Sequence, residues 1–214
     1  RASDVDLKAA VNRSVPVAGT NESHPLIRTF QYLGPLAGHL LFGAGIEVLG
    51  SSLLVVASEA FAAPIRSWLL SAGATKVDLV IPPLSSKTPR VDQQNLDAVV
   101  VAHMGESSLD TSSLPALSPS LMAKSGTAMA VIAGDVDRRL YSKEGVVVCP
   151  ATQREPGRMW ALTSAIGPRP VVELHCGGLK VGEGLVRSRR LGQSAQEAVD
   201  HAVQSGFALR VDVP

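Results

Sequence analysis

Two residues with acid–base side chains follow predicted buried strands of this sequence. His103 ends the apolar run 97–102, and Asp135 comes one glycine after the apolar run 128–133. An imidazole at such a position can exchange protons near neutral pH, and a carboxylate can accept them or orient the donor. His103 and Asp135 are therefore candidate catalytic residues. The alternatives are a half-buried histidine bonded to the backbone and an aspartate that caps a short helix.

A second group of candidates lies where the first predicted strand, residues 53–57, ends. The predicted cofactor-binding residues share this edge of the sheet: they are Ser58, Glu59, Ala60, Phe61 and, beyond His103, Gly105. The Glu59 carboxylate can accept hydrogen bonds from the hydroxyl or amine groups of a ligand. Alternatively, it stabilises the N-terminus of the next helix through the helix dipole. A glycine such as Gly105 allows a ligand to approach the backbone closely.

The phrase His175-Cys176-Gly177-Gly178-Leu179-Lys180 combines reactive side chains with two glycines in a predicted helix. Lys180 is the third candidate catalytic residue, because its ammonium group can bind a phosphate or a carboxylate. His175 and Cys176 point in different directions on a helix, and no C-x-x-C or H-x-x-x-H spacing accompanies them, so no metal site is predicted. Each glycine costs roughly 1 kcal/mol against alanine in a helix, which favours close packing or an interface there.

Composition narrows the class of protein. The chain has 214 residues, of which 45% are hydrophobic and 4% aromatic, and its formal net charge is +1. This balance argues against general nucleic-acid binding, which normally needs a basic excess. Two cysteines make no disulfide framework, and no apolar run approaches the roughly 20 residues of a spanning helix. We therefore expect a cytoplasmic protein with a small-molecule substrate and with no nucleic-acid or membrane partner; a homo-oligomer is an open expectation.

Short apolar runs alternate with helical patterns along the middle of the chain. The predicted strands are residues 53–57, 76–81, 97–102, 128–133 and 146–149. Unbroken apolar strands are typical of a sheet that is buried on both faces, and a strand, a helix and a strand within about 30 residues predict a parallel pair. The predicted fold class is therefore α/β: a doubly wound, mostly parallel, Rossmann-like sheet with helices on both faces. The ligand crevice of such a sheet lies beyond the carboxyl ends of its strands.

The remaining segments set the predicted domain organisation. The predicted helices are residues 25–42, 64–72, 136–143, 170–190 and 195–204, and residues 209–213 are predicted as an edge strand. Residues 1–23 are polar and mixed, so we expect them to be loosely structured. Residues 24–214 are then expected to form a single Rossmann-like domain, to which residues 167–206 contribute C-terminal helices.

The stretch from Gly45 to Val56, GIEVLGSSLLVV, leads into the first predicted strand. It resembles the entry to the cofactor domain of two-domain Rossmann dehydrogenases, such as shikimate dehydrogenase and methylenetetrahydrofolate dehydrogenase. The segment 72–74, Ala-Gly-Ala, is also similar to that group. The resemblance covers about residues 36–81 and continues, in strand order alone, to about residue 150. It implies an NAD(P) cofactor and an oxidoreductase, with the nicotinamide near His103 and Asp135.

The glycine fingerprint of those dehydrogenases is altered in this chain. Its G-x-G-x-x-G positions fall on residues 57–62, where alanines replace the first and third glycines and Glu59 replaces the middle one. The middle glycine normally lets the backbone approach a pyrophosphate, and a carboxylate there repels that group. The acidic residue expected after the second strand is missing as well, since Ile81 is followed by two prolines.

Three functions therefore remain open. The resemblance implies a small-molecule enzyme of the oxidoreductase type. The first alternative is a methyltransferase that uses S-adenosylmethionine, which carries no pyrophosphate, or another group-transfer enzyme. The second is a non-catalytic Rossmann-like binding or regulatory subunit, which the altered fingerprint favours. Because the chain leaves too little length for a separate substrate domain, the substrate site is expected to come from a partner subunit, from residues 150–190 or from sequence outside this chain.

Overall fold

The computed structural model describes residues 5–82, 95–104, 114–155 and 158–211. The chain divides into two compact units. Residues 1–29 and 168–214 form one, which we call the terminal unit, and residues 30–167 form the other, the central unit. The single domain expected over residues 24–214 stays a prediction.

Regular elements are numbered in chain order. The helices are α1 Leu7–Asn12, α2 Leu33–Gly43, α3 Glu59–Ser71, α4 Pro119–Ser125, α5 Arg138–Lys143, α6 Arg169–Arg190 and α7 Ala195–Gln204. The strands are β1 Ala18–Thr20, β2 Ser52–Ala57, β3 Lys76–Val80, β4 Ala98–Ala102, β5 Ala128–Ala133, β6 Val148–Cys149 and β7 Ala208–Arg210. Short 3₁₀ turns lie at Thr29–Tyr32, Pro115–Leu117 and Thr163–Ile166.

The central unit is built on a parallel sheet of five strands in the order β3-β2-β4-β5-β6. This sheet confirms the predicted α/β class and each of the five strands predicted in the middle of the chain. The order reverses after β3, because β4 pairs with the other side of β2 instead of extending the sheet beyond β3. The topological switch point of this doubly wound sheet therefore lies between β2 and β4.

Helices cover both faces of the sheet, as predicted. Successive residues of a strand point to opposite faces, so Val55 packs on the side of α2 and α3, together with Ile65. Val56 packs on the other side with Met122 of α4 and Tyr141 of α5. Every residue of β4 and β5 is buried. In the sequence, unbroken apolar strands indicated this arrangement. Both faces of the sheet are buried, and burying a polar side chain without a hydrogen-bond partner costs free energy.

Helix α3 begins at Glu59, earlier than the predicted start at Pro64, which instead lies inside the helix. A proline in a helix interior removes one backbone hydrogen bond. The packing of Ile65 and Leu69 into the core outweighs that loss. The predicted turn at residues 58–61 is therefore the first turn of a helix, and this places Glu59 at its start.

Helix α2 is shorter than the predicted helix 25–42, because a 3₁₀ turn precedes it. It packs so closely on α3 that a Cβ at Gly38 would lie 2.5 Å from ring carbons of Trp68. Gly38 therefore allows the close contact between α2 and α3.

The terminal unit contains elements that lie far apart in the sequence. Strand β1 pairs antiparallel with β7 in a separate two-stranded sheet, so the strand predicted at residues 209–213 is not part of the parallel sheet. Helix α1 is capped by Asp6, whose carboxylate accepts a hydrogen bond from the Ala9 amide at 2.8 Å. Regular structure thus occurs within residues 1–23, where we expected a loosely structured segment.

The two long helices of the terminal unit agree with their predicted bounds. Helix α7 begins after Ser194, which forms a reciprocal capping box with Glu197. Helix α6 packs closely at Gly177, where the side chains of Ile27 and Thr20 occupy the space that a Cβ would need. Within the described ranges, no helix has both the length and the apolar composition that a membrane span requires.

Candidate functional site

The two strands beside the switch point end in Ala57 and Ala102, and each is followed by a polar residue. Ser58 is the only residue between β2 and α3, and His103 follows β4 directly. The Ser58 amide donates to the Ala102 carbonyl at 3.1 Å. The His103 amide donates to the Ala133 carbonyl at 3.0 Å, which ties the end of β4 to the end of β5. The sheet edge itself therefore positions both residues.

Their side chains meet. The Ser58 hydroxyl lies 3.2 Å from Nδ1 of His103 and accepts a hydrogen bond from the Met104 amide at 3.0 Å. Although Ser58 precedes helix α3, its hydroxyl does not cap that helix. Because the hydroxyl oxygen already accepts from Met104, its proton is available to Nδ1. With Nδ1 as the acceptor of that proton, the imidazole carries its own proton on Nε2; in the other tautomer Nδ1 donates to the hydroxyl oxygen and Nε2 is an acceptor.

Burial lowers the pKa of the His103 imidazole below its ordinary value of 6.5, so the neutral ring is favoured. Nε2 is buried and has no hydrogen-bond partner in the described residues. A buried N–H without an acceptor costs free energy, and such groups are rare in native structures. This nitrogen is therefore suited to a hydrogen bond with a bound ligand, and in the Nε2–H tautomer it would donate to a carbonyl, hydroxyl or carboxylate oxygen.

The first turn of α3 was predicted to bind a cofactor. Glu59 and Ala60 are exposed there, at the same sheet edge as Ser58. Phe61 turns inward, since it is half-buried and its ring lies 5.5 Å from that of Phe30. Glu59 and Ala60 thus remain available to a ligand, whereas Phe61 belongs to the core.

The turn fits a dinucleotide pyrophosphate poorly. A fingerprint glycine leaves room for phosphate beside the backbone, but here the exposed Glu59 carboxylate stands at the first residue of α3. The alanines at the other two fingerprint positions, Ala57 and Ala62, are buried against the core. Beyond β3, Ile81 is exposed and offers no carboxylate to a ribose. Among the described residues, this turn therefore lacks the glycines and the ribose-binding carboxylate of the usual dinucleotide fingerprint.

Asp135 is the second predicted catalytic residue of the central unit. Asp135 is exposed and forms no hydrogen bond or ion pair in the part of the chain that the structure describes. The residue that caps α5 is Asp137, whose Oδ1 accepts from the Arg139 and Leu140 amides at 3.0 and 3.4 Å. Asp135 is thus not the cap that the alternative interpretation required.

Lys180 lies on α6 in the terminal unit, where its ammonium group pairs with Glu183 at 2.9 Å. Gly105 falls outside the described residues. The described side chains contain no cluster of His, Cys, Asp or Glu that could hold a metal ion. The roles predicted for Asp135, Lys180 and Gly105 stay predictions.

One feature of the site was not predicted from the sequence, namely the link between Ser58 and His103 through a shared hydroxyl. Ser58 was predicted only as a cofactor contact, and no role was predicted for the Met104 amide. The available signal was that both residues follow buried strands, because adjacent parallel strands end at the same edge. Which strands are adjacent could not be read from the sequence.

The strand order defines the central unit as a Rossmann-like α/β unit, and Ser58 and His103 follow the two strands beside its switch point. No family model matches the chain, and no curated protein sequence matches it significantly.

Solved structures of other proteins are similar to this chain over part of its length. The dipicolinate synthase A subunit from Bacillus halodurans is 13% identical, with 72% of this chain and 54% of that chain covered and a TM-score of 0.48. Its counterpart from Bacillus subtilis is 15% identical, with 74% and 54% covered and the same TM-score of 0.48. FolD, the methylenetetrahydrofolate dehydrogenase/cyclohydrolase from Campylobacter jejuni, is 18% identical, with 82% and 50% covered and a TM-score of 0.39.

The matched part of this chain spans about half the length of each of these proteins. FolD is a methylenetetrahydrofolate dehydrogenase, one of the two examples of the dehydrogenases that residues 36–81 resemble in sequence.

Proposed function

We propose that the central unit is the small-molecule site of an enzyme of the oxidoreductase type, in which His103 contacts the ligand. The observation that carries this proposal is the buried, unpartnered Nε2 of His103 at the switch point. A donor that is held by Ser58 and has no acceptor among the described residues is matched by a ligand with an acceptor oxygen. The carbonyl or hydroxyl group of a redox substrate is such an acceptor.

His103 would act by orientation and hydrogen bonding. With its proton on Nε2, the neutral imidazole donates to the ligand oxygen and polarises the bond to that oxygen. Ser58 is a positioning residue, because it holds Nδ1 and thereby sets the tautomer and the direction of the ring. The oxidoreductase type rests on the family resemblance of residues 36–81 and on the Rossmann-like scaffold, and NAD(P) is the cofactor that they favour.

Because the α3 turn fits a pyrophosphate poorly, two alternatives remain: an enzyme that uses S-adenosylmethionine and a non-catalytic binding subunit. S-adenosylmethionine has no pyrophosphate, so the Glu59 carboxylate does not oppose it and can accept hydrogen bonds from ribose hydroxyls. The absence of a carboxylate at Ile81 counts against it, because that position usually holds the ribose. A non-catalytic binding subunit would retain the His103 contact without turnover.

Thermal unfolding of the protein with NAD⁺, NADP⁺ and S-adenosylmethionine in turn tests the proposal. A ligand at about 100 times its dissociation constant adds about 2.7 kcal/mol to the free energy of unfolding. We expect stabilisation by a nicotinamide dinucleotide, and a smaller one in His103→Ala. The exposed histidine of α2 provides the matched control, since His39→Gln should leave the ligand effect unchanged.

Stabilisation by S-adenosylmethionine alone would replace the oxidoreductase assignment by a group-transfer enzyme. Equal ligand effects in His103→Ala and the native protein would show that His103 is not a ligand contact. An absence of stabilisation by either dinucleotide would refute the NAD(P)-dependent form of the proposal.

A further inference from the structure

A surface cavity of about 490 Å³ lies beyond the carboxyl ends of β5 and β6. Asp137, Arg138, Arg139 and Gln153 line it, and all four belong to the central unit. Helix α5, which begins at Arg138, follows β5, and Gln153 follows β6. Because β5 and β6 are adjacent and parallel, the segments that follow them leave the sheet at the same edge. Ligands of α/β sheets bind at this edge, so the cavity is a candidate binding site.

Arg138 has a guanidinium group without a counter-charge. The residue is half-buried, and its Nε atom is buried with no hydrogen-bond partner in the described residues. The ion pairs of this part of the chain do not include it either. Burying a charged group without a partner costs free energy, and buried charges are normally paired. A bound anion would supply the missing partner.

The other donors of the cavity are side chains as well. Arg139 is exposed. The side-chain oxygen of Gln153 accepts from the Arg138 amide at 3.3 Å, so the NH₂ group of Gln153 is left to donate to a ligand. Asp137 contributes a carboxylate, whose Oδ1 accepts from the amides of Arg139 and Leu140. The lining therefore carries two guanidinium groups against one carboxylate, and its net charge is positive.

We propose that this cavity binds an oxyanion, namely the carboxylate or phosphate group of a small molecule. A guanidinium group presents its N–H donors in a planar fork that matches two oxygens of such a group. Arg138 holds the anion through Nε and a terminal nitrogen, while Arg139 adds charge and Gln153 a further donor. The backbone of α5 takes no part, because its first amides already donate to Gln153 and Asp137.

The cavity has room for more than the anionic group. Small-molecule sites typically measure roughly 300–1,000 Å³, and this cavity lies within that range. Its position after β5 and β6 differs from that of the Ser58–His103 pair, which follows β2 and β4. The proposal therefore does not rest on the proposed function, and the tests below leave that pair unaltered.

¹⁵N NMR of the full chain observes the contact directly, because each arginine gives its own Nε–H signal. Sodium phosphate and sodium malonate are titrated separately, at an ionic strength held constant with sodium chloride. The Arg138 signal, identified by its loss in Arg138→Gln, should shift and saturate with at least one of the two anions. Phosphate alone would indicate a phosphate ester as the ligand, and malonate alone a carboxylate.

Arg66 provides the internal control in the same spectra. Its Nε already donates to the Val77 carbonyl at 3.2 Å, so its signal should not follow either anion. An Arg138 signal that responds to neither anion, or that moves only as much as the Arg66 signal, would overturn the proposal.

Variants distinguish a specific contact from a general effect of charge. In calorimetric titrations with phosphate and malonate, Arg138→Gln should weaken the affinity at least about tenfold, as expected for the loss of a hydrogen bond to a charged group. Arg138→Lys retains the charge but not the planar fork, and it should also bind more weakly than the native protein. The matched control is Lys143→Gln, which removes an exposed charge from the same helix but outside the cavity. Native affinity in Arg138→Gln, or equal losses in Arg138→Gln and Lys143→Gln, would refute the proposed site.

Discussion

The hydroxyl oxygen of Ser58 lies 3.2 Å from Nδ1 of His103, although the two residues are 45 positions apart in the chain. The contact exists because β2 and β4 are neighbours in the sheet and end at the same edge. It holds the imidazole by one nitrogen, and the other, Nε2, has no hydrogen-bond partner in the described part of the chain. The first two predictions concern this pair.

Replacing Ser58 by alanine removes the acceptor of the Met104 amide and the partner of Nδ1. We expect the free energy of unfolding to fall by about 1 kcal/mol, the usual net contribution of a partly buried hydrogen bond. Urea unfolding measures this change. Ser58→Thr retains the hydroxyl and should restore most of the loss. If Ser58→Ala is as stable as the native protein, the hydroxyl does not hold the imidazole.

The depressed pKa of His103 predicts a pH dependence of stability. Its folded pKa lies below the ordinary value of 6.5, so between the two values the unfolded chain binds more protons than the folded chain. The contribution of His103 is therefore present above pH 6.5 and is lost as the pH falls through the folded pKa. His103→Gln should weaken the loss of unfolding free energy between about pH 7 and about pH 5.

The control for the pH experiment is His39→Gln, which replaces an exposed histidine of α2. It shows how much of the change seen in His103→Gln comes from replacing any histidine by glutamine. A native and a His103→Gln protein with the same pH dependence would contradict the assigned burial of the imidazole.

The Glu59 carboxylate is predicted to oppose a pyrophosphate at the start of α3. Glu59→Gly removes the charge and restores a fingerprint glycine, so affinity for NAD⁺ should rise. A charge pair about 4 Å apart in water is worth about 1 kcal/mol, which corresponds to about fivefold in affinity. Calorimetric titration measures it, and Glu59→Gln separates the effect of charge from that of the backbone. Unchanged affinity in both variants would show that Glu59 is not the obstacle.

Two nearby aspartates should differ in their effect on stability. Asp137 caps α5 through its Oδ1, whereas Asp135 has no hydrogen bond in the described residues. Asp137→Ala should lower the free energy of unfolding by about 1 kcal/mol, and Asp135→Ala should change it little. Chemical denaturation of the two variants side by side makes the comparison. Equal losses would contradict the assignment of Asp137 as the cap.

The central sheet could be predicted because its signals are local. Four of the predicted strands are short and mainly apolar, the strand at residues 76–81 also contains Lys76 and Asp78, and the bounds 128–133 agree with the structure. The start of α3 was missed because Pro64 is a strong local signal, whereas the packing of Ile65 that overrides it is tertiary. The pairing of β1 with β7 had no local signal, since its partners come from opposite ends of the chain.

In the candidate site, too, some features have local sequence signals and others depend on the tertiary structure. His103 and Ser58 could be singled out because each follows a buried strand, but the hydrogen bond between them depends on the strand order. Asp135 and Asp137 were equally good caps by residue type, and only the backbone of α5 distinguishes them. The sequence thus narrowed the candidate residues at this sheet edge to a few, but it did not show which of them lie close together.

The sequence by itself determined the α/β class, the strands and the side chains at their ends, because hydrophobic runs and turn residues act over a few neighbouring positions. Only the tertiary structure decided that β4 lies beside β2, that Ser58 therefore holds His103, and that Gln153 meets the start of α5 at Arg138. These facts depend on which surfaces pack together. That choice is made by the free energy of burial summed over the whole unit, so it leaves no signature in any short stretch of the chain.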